Sequence, residues 1–229
     1  MSAALVDRLL PSLGESGVLG LGEPTHGSAN AFAWKLELIH ELARRGLLAA
    51  LAFEESFTVG AEVDAVLREG GDIDHAWSQG SSIWRTETIL EGLRALQRIS
   101  ARLPAARRPR FLGVDISKPD RTARALRSRG HDAPSLRAIA ERMPVSPAEA
   151  AELDSLCRAV EEGRDPTSAA LARNLRRYAD AYLAAPDLSR LHRRDTHMAQ
   201  TLLEHLPARG ITVLWAHNEH LARNPEGWG

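Results

Sequence analysis

Gly22-Glu23-Pro24-Thr25-His26-Gly27 near one end of the chain, and Trp215-Ala216-His217-Asn218-Glu219-His220 near the other, each place carboxylate and imidazole groups directly after an apolar run. The runs are Val18-Leu19-Gly20-Leu21 and Ile211-Thr212-Val213-Leu214. In an open parallel sheet, ligands bind at the carboxyl ends of the strands. One glutamate and three histidines at two such ends predict a single acid/base or metal site built from both ends of the sequence. An imidazole with an ordinary pKa of about 6.5 suits general-base work near neutral pH. His26 follows Glu23 by three residues across a Pro-Thr turn, so both side chains can face one cavity, where the carboxylate would fix the ring's tautomer. His217 and His220 would then bind a developing oxyanion, relay a proton or hold a metal. No Ser or Cys lies in a nucleophile-elbow pattern, which favours direct attack by activated water over an acyl-enzyme. Glu, His and Asp at strand ends also suit a divalent metal such as Zn or Mn. The spacing matches no sharp metal motif, so metal-free chemistry without a cofactor is the expectation.

Other residues sit where simple packing would not put them. Phe32, Leu36, Ile39, Leu42 and Ala43 form one face of a helix, and Lys35 falls in the middle of it. A lysine there needs a carboxylate or substrate anion, unless it snorkels to the edge. It is expected to serve the site, so that Lys35→Met would damage turnover and spare stability. Asp195 falls within the stripe Leu191, Met198, Leu202 and Leu206, with Arg194 beside it. Arg194 bonds poorly to its own neighbour on a helix, so Asp195 needs a partner from another segment, either as a structural ion pair or to orient a catalytic group. Glu54 and Asp115 close apolar runs as Glu23 does, as substrate contacts or as caps of the helices that follow. Trp84 and Arg85 follow a Gly/Ser-rich stretch and are expected on a loop, within reach of substrate. The remaining histidines, 40, 75, 131, 192, 197 and 205, are expected on solvated helix faces and loops.

These groups need a scaffold. Four runs read as buried strands, Val18–Glu23, Leu48–Glu54, Arg110–Asp115 and Ile211–His217, separated by long helical patterns. That predicts an α/β fold, a mostly parallel sheet flanked by helices. Helical spacing covers Ser28–Arg45, Phe57–Arg68 and Glu87–Leu103. Residues 119 to 207 show no strand and read as helices near Arg121–Arg129, Pro134–Arg142, Pro147–Glu162, Thr167–Ala185 and Leu188–Leu206, a helical insertion before the last strand. Gly163 and Gly210 read as helix stops, and Asn224–Gly229 as a turn-like ending. The 229 residues suit one domain, 1–229.

A net charge of −1 exerts no pull on nucleic acid or anionic membrane. No apolar segment approaches membrane-span or signal length, so a cytoplasmic protein acting on a small molecule is expected. Its oligomeric state is not readable. The one cysteine, Cys157, rules out an intramolecular disulfide and reads as a packed thiol.

In order along the chain, Gly22-Glu23-x-Thr25-His26-Gly27, Lys35, Phe53-Glu54, Gly113-x-Asp115, Arg194-Asp195-x-x-Met198 and Trp215-Ala216-His217-Asn218-x-His220 resemble the erythromycin esterase family. The resemblance spans roughly residues 18–221, with the first and last motifs the most specific. It implies an α/β fold with a helical insertion and a deep cleft, and water-mediated cleavage of a lactone. It implies His26 as general base, Glu23 as its carboxylate neighbour, Lys35 as the site's basic residue, and His217 and His220 as the paired histidines. The macrolide-resistance enzymes of the family are longer, with further sheet and helix after the last motif. A compact or truncated member is therefore expected, with retained ester chemistry on another substrate. The same base could serve a lyase or cyclase of a specialised metabolite, and a metal- or haem-binding module is the non-enzymatic alternative.

Overall fold

The computed structural model describes residues 2–14, 16–25, 27–184 and 189–221. An N-terminal helix not anticipated above, α1 (Ser2–Leu13), precedes β1 (Ser16–Glu23). Ser28 opens the next helix, α2 (Ala29–Arg44), as its N-cap, its hydroxyl accepting the Ala31 N–H and satisfying one orphan donor. β2 (Leu48–Ser56) then runs without a loop into α3 (Phe57–Glu69). A short α4 (Ile73–Ser78), also unanticipated, is capped by Asp72, and α5 (Glu87–Ala101) by Thr86. β3 (Arg110–Asp115) follows.

The helical insertion comprises α6 (Pro119–Ser128), α7 (Pro134–Ala140), α8 (Pro147–Glu161), α9 (Pro166–Tyr178) and α10 (Ser189–Glu204). Pro147 stands in the first turn of α8, where its missing N–H costs nothing, behind a Ser146/Glu149 capping box. β4 (Gly210–His217) and α11 (Asn218–Leu221) complete the described elements.

All four strands run parallel, in the order β1-β4-β2-β3. The last strand is thus inserted between the first two. Ser16 to Glu23 pair residue for residue with Gly210 to His217, and on the other side Phe53 pairs with Trp215.

The chain divides into two compact units. Unit 1 contains Met1–Glu55, Val59–Gly113 and His205–Gly229, and its core is the sheet with α2, α3 and α5. The predicted face of α2, Phe32, Leu36, Ile39, Leu42 and Ala43, is buried there. Unit 2 contains Ser56–Thr58 and Val114–Glu204, with a core of its own built from Leu126, Leu136, Leu153, Cys157, Leu171 and Leu175. The Cys157 thiol is packed in that core, and burial pushes it up to about 12.

Several expectations change. β1 lies at a sheet edge and is not fully buried: Val18 is 41% exposed. Gly210 is no helix stop; it enters β4 with φ of 87°, a conformation that favours glycine. The expected helix at Thr167–Ala185 switches to a π-turn over Ala179–Leu183, while Ala185 and Leu188 lie outside the described residues. So does the segment Asn224–Gly229. Leu191, placed in the apolar stripe of α10, is 51% exposed.

Candidate functional site

Unit 1 gathers the strand-end residues because β4 separates β1 from β2 while running parallel to both. Glu23 ends β1 opposite His217, the last residue of β4, as its register partner. Glu54 lies near the end of β2, on the other side of β4. The Cβ that any other residue would carry at Gly22 would overlap the Asn218 Oδ1, so this glycine lets α11 close over the end of β1. That close approach accounts for the glycine in front of Glu23.

Glu23 is fully buried and Lys35 is 3% exposed. The Lys35 Nζ donates to Glu23 Oε2 at 2.6 Å, and the Trp215 Nε1–H donates to the same oxygen at 2.9 Å. The Lys35 ammonium also lies 4.7 Å from the centre of the Trp215 ring. Burial holds the Lys35 amine below the ordinary lysine range, opposed by its bond to Glu23. The lysine that interrupts the apolar face of α2 is therefore matched by a carboxylate from β1. With that partner in place Lys35→Met is instead expected to cost stability, because removing one partner strands a buried charge.

Glu54 organises the other side. Its Oε2 accepts the His217 backbone N–H at 2.8 Å, and its Oε1 lies 3.1 Å from the His220 Nε2. The two imidazoles have ring centres 6.5 Å apart. His217 Nδ1 accepts the Glu219 N–H at 3.3 Å, which leaves the proton of a neutral ring on Nε2. His220, bonded to a carboxylate through Nε2, carries its neutral-state proton there and presents Nδ1 as acceptor. One ring is thus set to donate, and the other to take up a proton with a carboxylate behind it.

His26 lies outside the described residues. Its neighbours Pro24, Thr25 and Gly27 are exposed.

Trp84 is a correction. It is fully buried, not spread on a loop surface. Its Nε1–H donates to the Glu54 carbonyl at 2.8 Å, and its own carbonyl accepts from the Trp77 Nε1–H at 3.2 Å. Phe53 packs edge-on to it at 5.1 Å. Arg85 is exposed, with its guanidinium 3.4 Å from the Ser78 carbonyl. Sequence reasoning missed Glu55, which is 1% exposed and takes the Ser81 N–H on Oε2. It also missed the indole of Trp215. Consecutive acids at a strand end were the available signal for Glu55, since alternation must send one to each face.

In unit 2, Asp115 does not cap α6, whose N-cap is Lys118. Instead, Asp115 pairs with Arg194 through two bonds, Nε to Oδ1 at 2.9 Å and Nη2 to Oδ2 at 3.0 Å. Arg194 thus forms a cross-segment pair with Asp115, and Asp195 beside it is half-buried. Two of the histidines assigned to solvent carry bonds. His40 donates from Nε2 to the Gly92 carbonyl at 2.9 Å, and His197 Nε2 meets Asp180 at 2.8 Å. Among the described residues, no three His, Cys, Asp or Glu side chains converge as a metal-ligand set. Nor is any described helix long and apolar enough to cross a membrane.

The family model described as erythromycin esterase matches residues 48–227. That stretch includes Glu54, His217 and His220, while Glu23, His26 and Lys35 precede it. No curated protein matches in sequence. Among solved structures, a succinoglycan biosynthesis protein superposes with a TM-score of 0.71 at 19% identity, over 93% of this chain and 60% of its own. A Bacillus cereus protein gives 0.70 at 21%, over 96% and 61%. An erythromycin esterase, EreC, in its open conformation gives 0.64 at 15%, over 96% and 65%. The chain therefore spans less than two thirds of the length of each.

Proposed function

The chain belongs to the erythromycin esterase family, and from that premise we propose that it hydrolyses an ester or lactone bond of a small molecule, with water activated by His26. The observation that carries this reading is the clamp made by Glu54, one carboxylate holding the backbone of His217 and the ring of His220 at the end of the sheet where Glu23 lies in register with His217.

In the proposed reaction His26 takes a proton from water, and the water oxygen attacks the acyl carbon. Glu23 orients that imidazole and stabilises its charged form. His217, with its proton on Nε2, donates to the oxyanion of the tetrahedral intermediate. The proton taken by His26 passes to His220, whose charge Glu54 offsets, and from there to the leaving alkoxide. Arg85, exposed after the buried Trp84, is the proposed contact for a polar group of the substrate. No metal or cofactor is invoked.

The test is hydrolysis of a panel of p-nitrophenyl esters and lactones in heavy-oxygen water, by wild-type and His26→Ala protein. The expected result is label in the acid product, and loss of turnover in His26→Ala with an unchanged circular dichroism spectrum. Near wild-type turnover in His26→Ala removes that residue from the mechanism. Product that forms without label from solvent turns the reading toward a lyase or cyclase using the same base.

A further inference from the structure

We propose that Trp215 is a positioning residue of this site, fixing the orientation of Glu23 and the charge of Lys35 with a single indole. Three elements meet here. β1 supplies the carboxylate, α2 the ammonium and β4 the ring, and all three side chains are buried, Trp215 completely. The indole N–H and the Lys35 ammonium both bond Oε2 of Glu23, at 2.9 Å and 2.6 Å. Neither takes Oε1. Rotation of the carboxylate would break both bonds at once, so the two donors together aim the second oxygen.

The ring face does a different job. An ammonium has three donors, and a buried one has lost the water that would accept from them. The negative face of an indole, 4.7 Å from Nζ, replaces part of that solvation. Burial works against the charge, and Glu23 is the charged group that favours it. A phenylalanine would keep a weaker face without the N–H, and a leucine would keep neither. The ring itself is held by Phe53 and Phe32, with centres 5.0 Å and 5.5 Å away. Such packing locks the rotamer and so pre-organises the groups it touches.

This inference rests on the hydrolase reading only for its effect on turnover. Its physical content is testable without a substrate, because the chain has two lysines, Lys35 and Lys118. A carbon-13 label at the lysine ε-carbon therefore gives two signals, with Lys118 as internal control. Replacing the tryptophans with a difluorinated analogue weakens the ring face and keeps shape and N–H. The expected result is a titration midpoint for Lys35 lowered by about half a pH unit, with Lys118 unmoved. A Lys35 midpoint unmoved by fluorination overturns the proposal. Trp215→Phe is expected to lower kcat on the reporter ester about tenfold at unchanged KM, and folded Trp215→Phe protein with wild-type kcat overturns the positioning role. If wild-type protein hydrolyses no ester, the hydrolase reading fails while the fluorination titration still decides this one.

Discussion

Two carboxylates close two strands of this protein, and each is met by a cation from a helix, yet the two pairs differ in kind. In unit 1 Glu23 takes a lysine, through one short bond, at side-chain exposures of 0% and 3%. In unit 2 Asp115 takes an arginine through a two-pronged contact, at exposures of 5% and 17%. A guanidinium keeps its charge at any working pH and fits a carboxylate fork. An ammonium is a point charge whose proton can be lost once it is buried, and Lys35 is already pushed that way. The arginine pair is therefore a brace. The lysine pair is a single point-charge contact at the end of the sheet where the paired histidines stand.

Chemistry also separates the two units for measurement. All five tryptophans fall within the segments of unit 1, and the single cysteine falls in unit 2. Tryptophan fluorescence thus follows one unit, and thiol labelling of Cys157 the other.

The sharpest way to break the comparison is Lys35→Met, which should cost about 3–5 kcal/mol in urea denaturation followed by fluorescence, because Glu23 is left charged and buried. Adding Glu23→Leu should restore most of that loss; a neutral single variant would mean the ion pair is no strut. Glu54→Gln should lower turnover of the reporter ester about a hundredfold and cost about 1–3 kcal/mol in the same denaturation, since its amide N–H would face one of the two donors. The amide keeps the carboxylate's shape and loses the charge behind His220. Arg194→Lys should cost about 1–2 kcal/mol, read as earlier labelling of Cys157 under urea, since one prong of the fork is lost. An unchanged labelling profile would show that the fork's geometry contributes nothing.

The smallest effect concerns pH. Burial lowers the His40 pKa, so the folded state favours its neutral ring. Its contribution is complete above the unfolded value of about 6.5 and is lost as the pH falls through the lower folded value. His40→Gln keeps a donor for the Gly92 carbonyl and cannot titrate. Its stability should fall less steeply with acid, by at most about 1.4 kcal/mol per pH unit, the slope for one proton. Parallel acid profiles for the two proteins would remove His40 from the acid response.

Much of the scaffold was legible in the sequence for simple reasons. Apolar runs, three ending in an acid and one in a histidine, marked all four strands to within two residues at each end, and Lys35 betrayed its importance by interrupting an otherwise apolar face. What escaped was non-local. Nothing in Ile211–His217 says that the strand inserts between β1 and β2, because register depends on the whole sheet. Trp215 was given no role in the sequence, since its N–H finds its partner 192 residues away. Trp84 misled because Ser81, Ser82 and Arg85 around it are polar, while the turn folds the ring back beneath β2. Leu191 fits the helical period yet faces solvent, as periodicity marks a face without saying what covers it.

The place of β4 in the sheet has a consequence for how the protein is made. During translation the first two strands emerge early but have no partner in each other, since the strand that joins them is synthesised some 150 residues later. Until residue 217 is made, β2 has β3 as its only neighbour in the sheet, and glycine-rich β1 has no strand beside it. A ribosome stalled before that point would leave Val18-Leu19-Gly20-Leu21 and Leu48–Phe53 as open edges prone to association. Of the groups proposed to act on substrate, His217 and His220 reach their places only after β4 has been made.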